Sequence, residues 1–499
     1  MIAAKTELRA GTLPLFIGGR LQFSNKVFPT IEPATGDTLA EVSLASASDV
    51  DGAVAAARYA FDQGPWPRMS GGERAAYLMR VADLIEDRQS TLAEFESRDT
   101  GLPVRFTAEG HLPRTVAHFR YFAEEATRLV GEVFALDSAY LSLVVREAVG
   151  VAAVITPWNA PLSIASMQVA AALACGNTCV LKPSELAPVT SSMLADVMAA
   201  ADLPEGVFNL IHGPAEPTGR ALVEQPGIDI VSFTGGTATG KQILAASARY
   251  VRRVLCELGG KSANLILEDA DLNSALDGSL LSMYANNGEA CHAASRLLVA
   301  RPIYERFSEM FADRVGNLQL GNPLDPDTEV GPLISEEHQA RVLNFVQSGL
   351  EDGASLLAGG SEAPDLKGGY YVLPTVFANA NNSMRIAREE IFGPVAVIIP
   401  FETEDEAVEM ANDSDYGLAG YIWTARFDRA LELASRLRVG SVSINSPMIR
   451  DIRVPFGGFK RSGIGRTGGR FSITHYTELK TICVPVQGYT FPRLGSRES

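Results

Sequence analysis

Cys291 carries the strongest side-chain nucleophile available to a protein, if its thiol can ionise. It lies in an alanine-containing stretch, Gly288-Glu-Ala-Cys-His-Ala-Ala-Ser-Arg296. A lone cysteine in such a stretch is more often a small buried apolar residue. His292 follows directly, but adjacent side chains usually diverge, so the sequence does not indicate a Cys–His pair. A catalytic Cys291 would therefore need partners from elsewhere in the chain.

Two other residues are of the types that acyl chemistry requires. Glu257 begins the segment Glu257-Leu-Gly-Gly-Lys261, and a buried carboxyl group there would act as a general base near neutral pH. Asn159 lies in a turn-rich segment, where its amide would donate a hydrogen bond to a developing oxyanion. Each also has an ordinary explanation, as a charge at a strand end or as a turn asparagine. A nucleophile, a base and an oxyanion donor are together the parts of a two-step acyl reaction.

Alternating strands and helices are predicted to position these residues. From Val151 onward, short apolar runs alternate with helical patterns, which predicts a parallel sheet with helices on both faces. The predicted strands are 151–155, 178–181, 207–211, 228–233 and 254–258. Right-handed crossovers make this a doubly wound sheet, with ligands expected at the carboxyl ends of its strands. A second α/β pattern follows over 264–456, a mostly helical segment precedes the sheet, and 130–149 alternates like a β-ribbon.

The predicted strand ends carry residues suited to a dinucleotide. An acidic residue after the second strand, here Glu185 close to Lys182, can bind an adenosine ribose and repel a 2′-phosphate. The glycine-rich turn 233–240 would bring backbone N–H groups to a phosphate at a helix N-terminus. Thr237 stands where the second glycine of GxGxxG would be, so this turn alone is weak evidence.

The motifs, in their order and spacing over residues 15–480, resemble the aldehyde dehydrogenase superfamily. The matching segments are 157–162, 182–185, 233–235 with Thr237 and Gly240, 257–261, 288–296, 389–394, 455–458 and 462–466. The resemblance implies an α/β fold with a Rossmann-type NAD-binding domain, a catalytic domain and a small β oligomerisation ribbon. The implied limits are 1–129 and 150–259 for the NAD-binding domain, 260–470 for the catalytic domain, and 130–149 with 471–499 for the ribbon and C-terminal tail.

The resemblance also implies NAD-dependent oxidation of an aldehyde to an acid. Cys291 would attack the carbonyl carbon to give a thiohemiacetal, with Asn159 and the Cys291 N–H stabilising its oxyanion. Hydride transfer to NAD would leave a thioester, and Glu257 would activate the water that hydrolyses it. The implied cofactor-binding residues are Ile155, Thr156, Pro157, Trp158, Lys182, Ser184, Glu185, Phe233, Thr234, Gly235, Gly236, Thr237, Gly240, Leu258, Gly259, Glu390 and Phe392.

Two arginines in the segment 445–455 point to an anionic substrate, because guanidinium groups bind carboxylates through paired hydrogen bonds. The pattern Arg450-Asp-Ile-Arg453 and the upstream Leu112-Pro-Arg114 resemble the hydroxymuconic and aminomuconic semialdehyde dehydrogenases. This implies a carboxylate-bearing semialdehyde such as 2-hydroxymuconate semialdehyde, with Arg114 and Arg453 as anchors and Arg450 beside the tunnel. Ala160, where many members carry an aromatic residue, would widen that tunnel. The alternative is that these arginines pair structurally with Asp451 or other acids.

Other functions stay open from sequence. A neutral aliphatic or aromatic aldehyde is the main alternative substrate. A CoA-acylating enzyme would typically lack Glu257. A cofactor-independent thiol hydrolase would use Cys291 but leave Lys182, Glu185 and Glu390 unexplained. A non-catalytic structural protein is poorly supported by this set of residues.

Composition and net charge limit the kinds of partner that the chain is expected to bind. The chain has 499 residues, 46% hydrophobic and 20% charged, enough for a large core. Its net charge of −16 disfavours nucleic acid and anionic membranes. No long apolar stretch predicts a membrane span, the N-terminus lacks the pattern of a secretory signal, and no metal-ligand spacing is present. Five cysteines without a disulfide framework favour a reducing cytoplasmic setting, and the resemblance implies a homodimer or homotetramer.

Overall fold

Two large sheets organise the molecule, the first formed mainly by the first half of the chain and the second by the second half. A computed structural model describes residues 11–135, 140–447, 449–486, 490 and 492–495. The start of the predicted NAD-binding domain, 1–10, and parts of the predicted ribbon and tail lie outside the described residues.

The first sheet has eight strands, and its central strands are parallel. In spatial order they are Gly463–Ile464, Arg253–Glu257, Ile230–Thr234, Val151–Ile155, Thr178–Lys182, Phe208–Leu210, Leu15–Ile17 and Arg20–Gln22. Every residue of Val151–Ile155 and Thr178–Lys182 is buried, because helices cover both faces of the sheet.

The register of this sheet brings the predicted cofactor residues to one edge. Ile155 pairs with both Lys182 and Phe233, and Thr234 pairs with Glu257. The segments after these four strands therefore leave the sheet side by side. This is the carboxyl edge at which doubly wound sheets bind ligands.

The second sheet has seven strands, parallel except for its first, antiparallel edge strand. In spatial order they are Ser355–Ala358, Thr375–Ala378, Val395–Phe401, Arg296–Ala300, Ala263–Ile266, Ala419–Trp423 and Ser441–Ile444. Smaller sheets are formed by Thr12–Leu13, Thr38–Ser43 and Val27–Ile31, and by Tyr416–Gly417 with Phe459–Lys460.

The predicted ribbon forms a three-stranded antiparallel sheet. Tyr140–Ala148 lies between Glu132–Ala135 and Thr477–Pro485. Its exposed apolar side chains include Val133, Phe134, Leu479, Ile482 and Val484. An exposed apolar ribbon of this kind is suited to packing against another surface.

Helices fill the layers around the sheets. The α-helices are Ala47–Asp62, Gly71–Glu86, Gln89–Thr100, Val104–Phe106, Leu112–Ala126, Pro161–Ala174, Val189–Ala200, Arg220–Val223, Thr237–Ala248, Leu272–Tyr284, Tyr304–Gly316, Glu336–Glu351, Arg385–Arg388, Glu404–Asn412, Phe427–Arg436 and Gly469–Tyr476. Short 3₁₀ turns occur at Trp66–Arg68, Ala285–Gly288 and Arg301–Ile303, and π-helical turns at Thr107–His111 and Ala215–Gly219. No helix in the described part of the chain is long and apolar enough to cross a membrane.

The segment 456–468 crosses from the second half of the chain to the first sheet. Gly463–Ile464 pairs antiparallel with Arg253–Glu257, and the Leu258 N–H donates to the Ser462 carbonyl at 3.0 Å. Because of this crossing, a segment within the predicted catalytic range completes the first sheet beside Glu257. The domain limits themselves stay a prediction.

Candidate active site

One cavity of about 940 Å³ opens beside Cys291. Asn159, Ala160, Arg114 and Arg450 also line it, so four residues singled out from distant parts of the sequence meet there with the thiol. Glu257 and Glu390 do not line this cavity, but both carboxyl groups are near enough to act electrostatically on the Cys291 thiol.

A strained turn presents Cys291 to the cavity. Asn286, Asn287 and Gly288 are successive left-handed residues, with φ of 60°, 58° and 72°. At Gly288 an added Cβ would lie 2.5 Å from the Gly393 carbonyl carbon, so only glycine fits. The Asn287 side chain fixes the turn, because it accepts from the Gly331 N–H at 2.7 Å and donates to the Pro332 carbonyl at 2.9 Å. Backbone strain held by such bonds is typical of functional sites.

The Cys291 thiol experiences opposing effects. Burial raises its pKa to about 12, and the positive charge of Arg450 acts in the opposite direction. The neighbouring carboxyl groups of Glu390 and Glu257 add to the rise. Ionisation of this thiol therefore depends on nearby charge and on a base that takes its proton.

Asn159 is fixed next to the cysteine turn. Its Nδ2 donates to the Glu289 backbone carbonyl at 2.8 Å, and the backbone carbonyl of Asn159 accepts from Asn286 Nδ2 at 2.9 Å. One N–H of the Asn159 amide is used in this way. The second N–H of the amide is available to a ligand.

Glu257 is a buried carboxyl group at the end of its strand. Burial raises its pKa well above the usual value, while the positive charges of Arg450 and Arg466 act to lower it. The Thr467 backbone N–H also acts to lower the pKa, although neither carboxyl oxygen has a hydrogen-bond partner within 3.5 Å among the described residues. Gly457 packs so closely that an added Cβ would lie 2.7 Å from Glu257 Oε1. Burial thus shifts the pKa of this carboxyl group upward, which is the direction that makes a carboxylate a stronger base.

Lys182 and Glu185 lie together at the carboxyl edge of the first sheet. Lys182 is buried, and its Nζ donates to the Pro183 carbonyl at 3.0 Å and lies 3.7 Å from Glu185 Oε2. Burial lowers the pKa of Lys182. In the same segment, Ser184 Oγ accepts from the Leu186 N–H at 3.2 Å. A cation and a partly exposed carboxylate are therefore presented at this edge.

The glycine-rich turn starts the helix Thr237–Ala248. Gly236 is its N-cap and no side chain caps the first turn, which leaves N–H groups of that turn open to a ligand. An added Cβ at Gly240 would lie 2.6 Å from Leu258 Cδ2, so glycine allows the helix to pack against the strand end. The Gly235 N–H donates to the Glu257 carbonyl at 3.0 Å.

Glu390 and Phe392 approach this edge from the second half of the chain. Glu390 Oε1 accepts from the Gly260 N–H at 3.0 Å, and burial raises the pKa of Glu390 to about 7. Gly259 lies against the same carboxyl group. Phe392 has a φ of 63° and packs edge-on against Trp158, with ring centroids 5.3 Å apart. The predicted cofactor residues of both halves therefore meet in one region.

Arg450 places a positive charge in the wall of the cavity. The residue is only partly exposed, its guanidinium carbon lies 3.5 Å from the centroid of the Phe456 ring, and its Nε has no hydrogen-bond partner among the described residues. No carboxylate among the described residues forms an ion pair with it within 4.0 Å. Burial and the charge of Arg450 lower the pKa of Arg114 to about 10. Two cations thus share one cavity.

The structure places Arg453 at the rim of this cavity and not among the residues that line it. Its side chain is 75% exposed and forms hydrogen bonds of 2.9 and 2.6 Å to the Asp451 carboxylate. Asp451, not Arg453, lines the cavity. Asp451 already pairs with the Arg453 guanidinium group at the rim of the cavity. A ligand would have to displace Asp451 to bind Arg453.

Two cavity residues were missed from sequence. His111 and His118 both line the wall beside Arg114. His118 Nδ1 lies 2.8 Å from Ser166 Oγ, and burial lowers the pKa of His118 to about 3, so this ring is neutral. Their spacing could have indicated them, because His111 and His118 lie three and four residues from Arg114 and residues at this spacing share one face of a helix.

Comparison with known proteins agrees with this geometry. The profile of the aldehyde dehydrogenase family matches residues 21–482. A 2-hydroxymuconic semialdehyde dehydrogenase of Pseudomonas sp. (strain CF600) is 43% identical over 469 residues, covering 92% of this chain and 96% of that protein. A betaine aldehyde dehydrogenase of Bacillus subtilis is 41% identical, covering 94% and 96%.

A solved structure is also similar to this chain in fold and in sequence. The NAD+ complex of an aldehyde dehydrogenase from Bacillus cereus superimposes with a TM-score of 0.95 at 41% identity, covering 97% of this chain and 99% of that one. The predicted fold and enzyme class are confirmed by these matches. The chain belongs to the aldehyde dehydrogenase family.

Proposed function

We propose that this protein oxidises a carboxylate-bearing semialdehyde to the corresponding acid, with NAD as the hydride acceptor. The observation that carries the proposal is the shared cavity of Cys291 and Arg450, in which a nucleophile and a cation that forms no ion pair within 4.0 Å with a described carboxylate line the same space. A carboxylate on the substrate would complete the ion pair that the protein itself does not supply.

The chain supplies three groups for the chemistry. The Cys291 thiolate attacks the aldehyde carbon, and the free N–H of the Asn159 amide and the Cys291 N–H stabilise the oxyanion of the thiohemiacetal. Loss of hydride from this adduct gives a thioester. Glu257 then removes a proton from the attacking water, which releases the acid and regenerates the thiol. The raised pKa and unpartnered oxygens of Glu257 support this role.

NAD fits the edge of the first sheet on the residues present. The uncapped helix start at Gly236 suits a pyrophosphate, and Glu185 beside Lys182 suits the hydroxyl groups of an adenosine ribose. Thr156 has a buried hydroxyl group without a partner at the same edge. Glu390 would bind the nicotinamide ribose. Bound NAD would supply hydride acceptance, and Glu185 would disfavour the 2′-phosphate of NADP.

The charges of the cavity support an anionic substrate over a neutral one. Arg114 and Arg450 both line it, and the lining carboxylate Asp451 is already paired with Arg453. Relatives with similar identity include enzymes named for hydroxymuconic semialdehyde and for betaine aldehyde, so overall identity does not choose the substrate. The cationic side chains of Arg450 and Arg114 in the cavity are what favour an anion. Ala160 on the cavity wall leaves room for an extended molecule.

Assembly and location belong to the same proposal. The apolar side chains exposed on the ribbon would be covered by a second copy of the chain, which supports a homodimer or homotetramer. A reducing cytoplasm would keep Cys291 in the thiol form that catalysis requires.

The test is a comparison of substrates. Initial rates of NADH formation with 2-hydroxymuconate semialdehyde and with a neutral aldehyde of similar length, each with NAD and with NADP, give four values of kcat/KM. We expect the highest value for the semialdehyde with NAD. A clear preference for the neutral aldehyde contradicts the proposed substrate class, and NAD-independent ester hydrolysis without aldehyde oxidation contradicts the proposed reaction.

A further inference from the structure

His338, near the start of the helix Glu336–Glu351, holds the backbone of Phe392. Its Nε2 lies 2.7 Å from the Phe392 carbonyl oxygen, and because a carbonyl oxygen only accepts, Nε2 carries the proton and donates it. Burial lowers the pKa of His338 to about 4, so the ring is uncharged near neutral pH. Glu289 Oε1 lies 3.7 Å from the same nitrogen, which is beyond hydrogen-bond distance. The imidazole N–H is therefore committed to the Phe392 carbonyl.

Arg341, one helical turn later, holds the two residues before Phe392 in the same way. Its Nη1 donates to the Ile391 carbonyl and its Nη2 to the Glu390 carbonyl, each at 2.7 Å. The planar fork of a guanidinium group suits two acceptors at a fixed separation. His338 and Arg341 share one face of their helix and together bind three successive carbonyl groups. We call these two side chains the carbonyl clamp.

The segment 390–392 depends on such contacts because it belongs to no helix or strand. Phe392 has a φ of 63°, a left-handed conformation that is uncommon for a bulky residue and persists only where surrounding contacts hold it. The His338 ring lies beside those of Trp158 and Phe392, with centroid distances of 5.4 and 6.3 Å. The carbonyl clamp therefore holds the backbone of Phe392 and packs against its ring.

The carbonyl clamp also acts on Glu390. Arg341 holds the backbone carbonyl of this residue, and the Gly260 N–H donates to its Oε1 at 3.0 Å. Burial raises the pKa of Glu390, whereas the Gly260 hydrogen bond and the positive charge of Arg341 oppose this rise. Both ends of Glu390 are thus fixed, and its carboxyl group keeps one orientation at the junction of the two halves of the chain.

We infer that His338 and Arg341 are positioning residues for the nicotinamide half of NAD, and that they act through the backbone of the segment that carries Glu390 and Phe392. This inference rests on the roles proposed for Glu390 and Phe392, which would contact the cofactor themselves. Loss of the carbonyl clamp should release this segment from its left-handed conformation and so weaken binding of the nicotinamide half alone.

A fragment of the cofactor separates this role from a general effect on the fold. ADP lacks the nicotinamide and its ribose, so it reports on the proposed adenosine-binding residues Lys182 and Glu185 and not on Glu390. Dissociation constants of NAD and ADP are measured by calorimetry on the full-length protein. His338→Phe keeps an aromatic ring but removes the N–H donor, and Arg341→Met removes both donors of the fork. We expect each variant to bind NAD about tenfold more weakly and ADP within about twofold of the wild type.

Two control variants show whether the donors themselves matter. His338→Gln keeps an N–H donor and should regain most of the NAD affinity that His338→Phe loses. Gln339→Met removes a different donor from the same helix, since Gln339 Nε2 donates to the Tyr371 carbonyl at 3.0 Å. This variant should bind NAD and ADP as the wild type does. A loss of NAD affinity in Gln339→Met as large as that in His338→Phe would contradict a specific role of the carbonyl clamp.

Other outcomes also decide the inference. Equal weakening of NAD and ADP by His338→Phe and Arg341→Met would show a general structural effect and overturns it. Unchanged NAD binding in either variant overturns the role of that residue. The proposed function fails separately, because a wild type that binds NAD but oxidises no carboxylated aldehyde contradicts the proposed substrate class, whereas the binding data still decide the inference.

Discussion

The Gly260 N–H donates a hydrogen bond of 3.0 Å to Glu390 Oε1, and this contact joins the end of the first sheet to the second half of the chain. Gly260 follows the strand Arg253–Glu257, and Glu390 precedes the strand Val395–Phe401 of the second sheet. Gly260 lies three residues after Glu257, the proposed catalytic base, and it contacts Glu390, the proposed ribose-binding residue. The two carboxyl groups are therefore linked through one short backbone segment. Catalysis and cofactor binding are expected to share this junction.

Cofactor affinity should depend on the ionisation of Glu390. Burial raises the pKa of Glu390 to about 7, and only the carboxylate accepts two ribose hydroxyl groups. The carboxylate form increases as pH rises through this pKa, so KM for NAD should fall between about pH 6 and pH 8. Glu390→Gln should remove this pH dependence and raise KM at high pH. A wild-type KM that is constant across the range contradicts the assignment.

Thioester hydrolysis should require Glu257. Glu257→Gln keeps the size of the side chain but removes the base, so steady-state turnover should fall by about 10² to 10⁴. NADH formation before that step should persist as a rapid burst of one equivalent per active site at most. Stopped-flow absorbance measures the burst and the slow phase. An unchanged steady-state rate would show that another group activates the water.

The turnover of the wild type should rise with pH if deacylation limits the rate. Burial raises the pKa of Glu257 well above its usual value, and the base is the deprotonated form. Activity is therefore lost as pH falls through the raised pKa and gained as pH rises through it. Single-turnover hydrolysis of the acyl-enzyme, followed across pH, measures this directly. Hydrolysis that accelerates toward low pH contradicts a carboxylate base.

Substrate charge selectivity should depend on Arg450. Arg450→Met removes the positive charge and keeps an apolar side chain beside Phe456. The ratio of kcat/KM for the carboxylated semialdehyde to that for a neutral aldehyde should fall by about ten- to a hundredfold. Arg114→Met should act in the same direction.

The matched comparison is Arg453→Met in the same loop. Arg453 is already paired with Asp451 at the rim, so its replacement should change the ratio by less than that of Arg450. A larger loss for Arg453 than for Arg450 would mean that the substrate displaces Asp451 and binds at the rim.

Preference for NAD over NADP should depend on Glu185. Its carboxylate would lie near a 2′-phosphate and repel it, so Glu185→Ser should raise kcat/KM with NADP by about tenfold or more. The effect should be smaller at high salt, because screening weakens the repulsion between partly exposed charges. Unchanged NADP kinetics in the variant would place the ribose elsewhere.

Local pattern was sufficient for the strands and for the placement of the main site residues. The apolar run 151–155 and the glycines after Glu257 predicted a sheet edge where Asn159 and Glu257 leave their strands, and the register bears this out. The sequence is informative here because a strand that is buried on both faces reads as a nearly continuous run of apolar residues, which is easy to recognise.

The orientation of the loop arginines was beyond the sequence. Arg450 and Arg453 are the same residue type and close in sequence, yet Arg450 is only partly exposed and packs on Phe456, whereas Arg453 is exposed and paired with Asp451. Which side of a loop faces a cavity depends on long-range packing. The crossing of Gly463–Ile464 into the first sheet was missed for the same reason, since its partner strand lies about two hundred residues away.

The role of Cys291 is the central claim, and replacement of its sulfur tests it most directly. The measurement is the rate of NADH formation by Cys291→Ala and Cys291→Ser with saturating aldehyde and NAD, after circular dichroism and NAD binding have shown that each variant is folded. We predict a loss of at least about 10³-fold in both variants. Oxidation at the wild-type rate without the thiol would contradict the account.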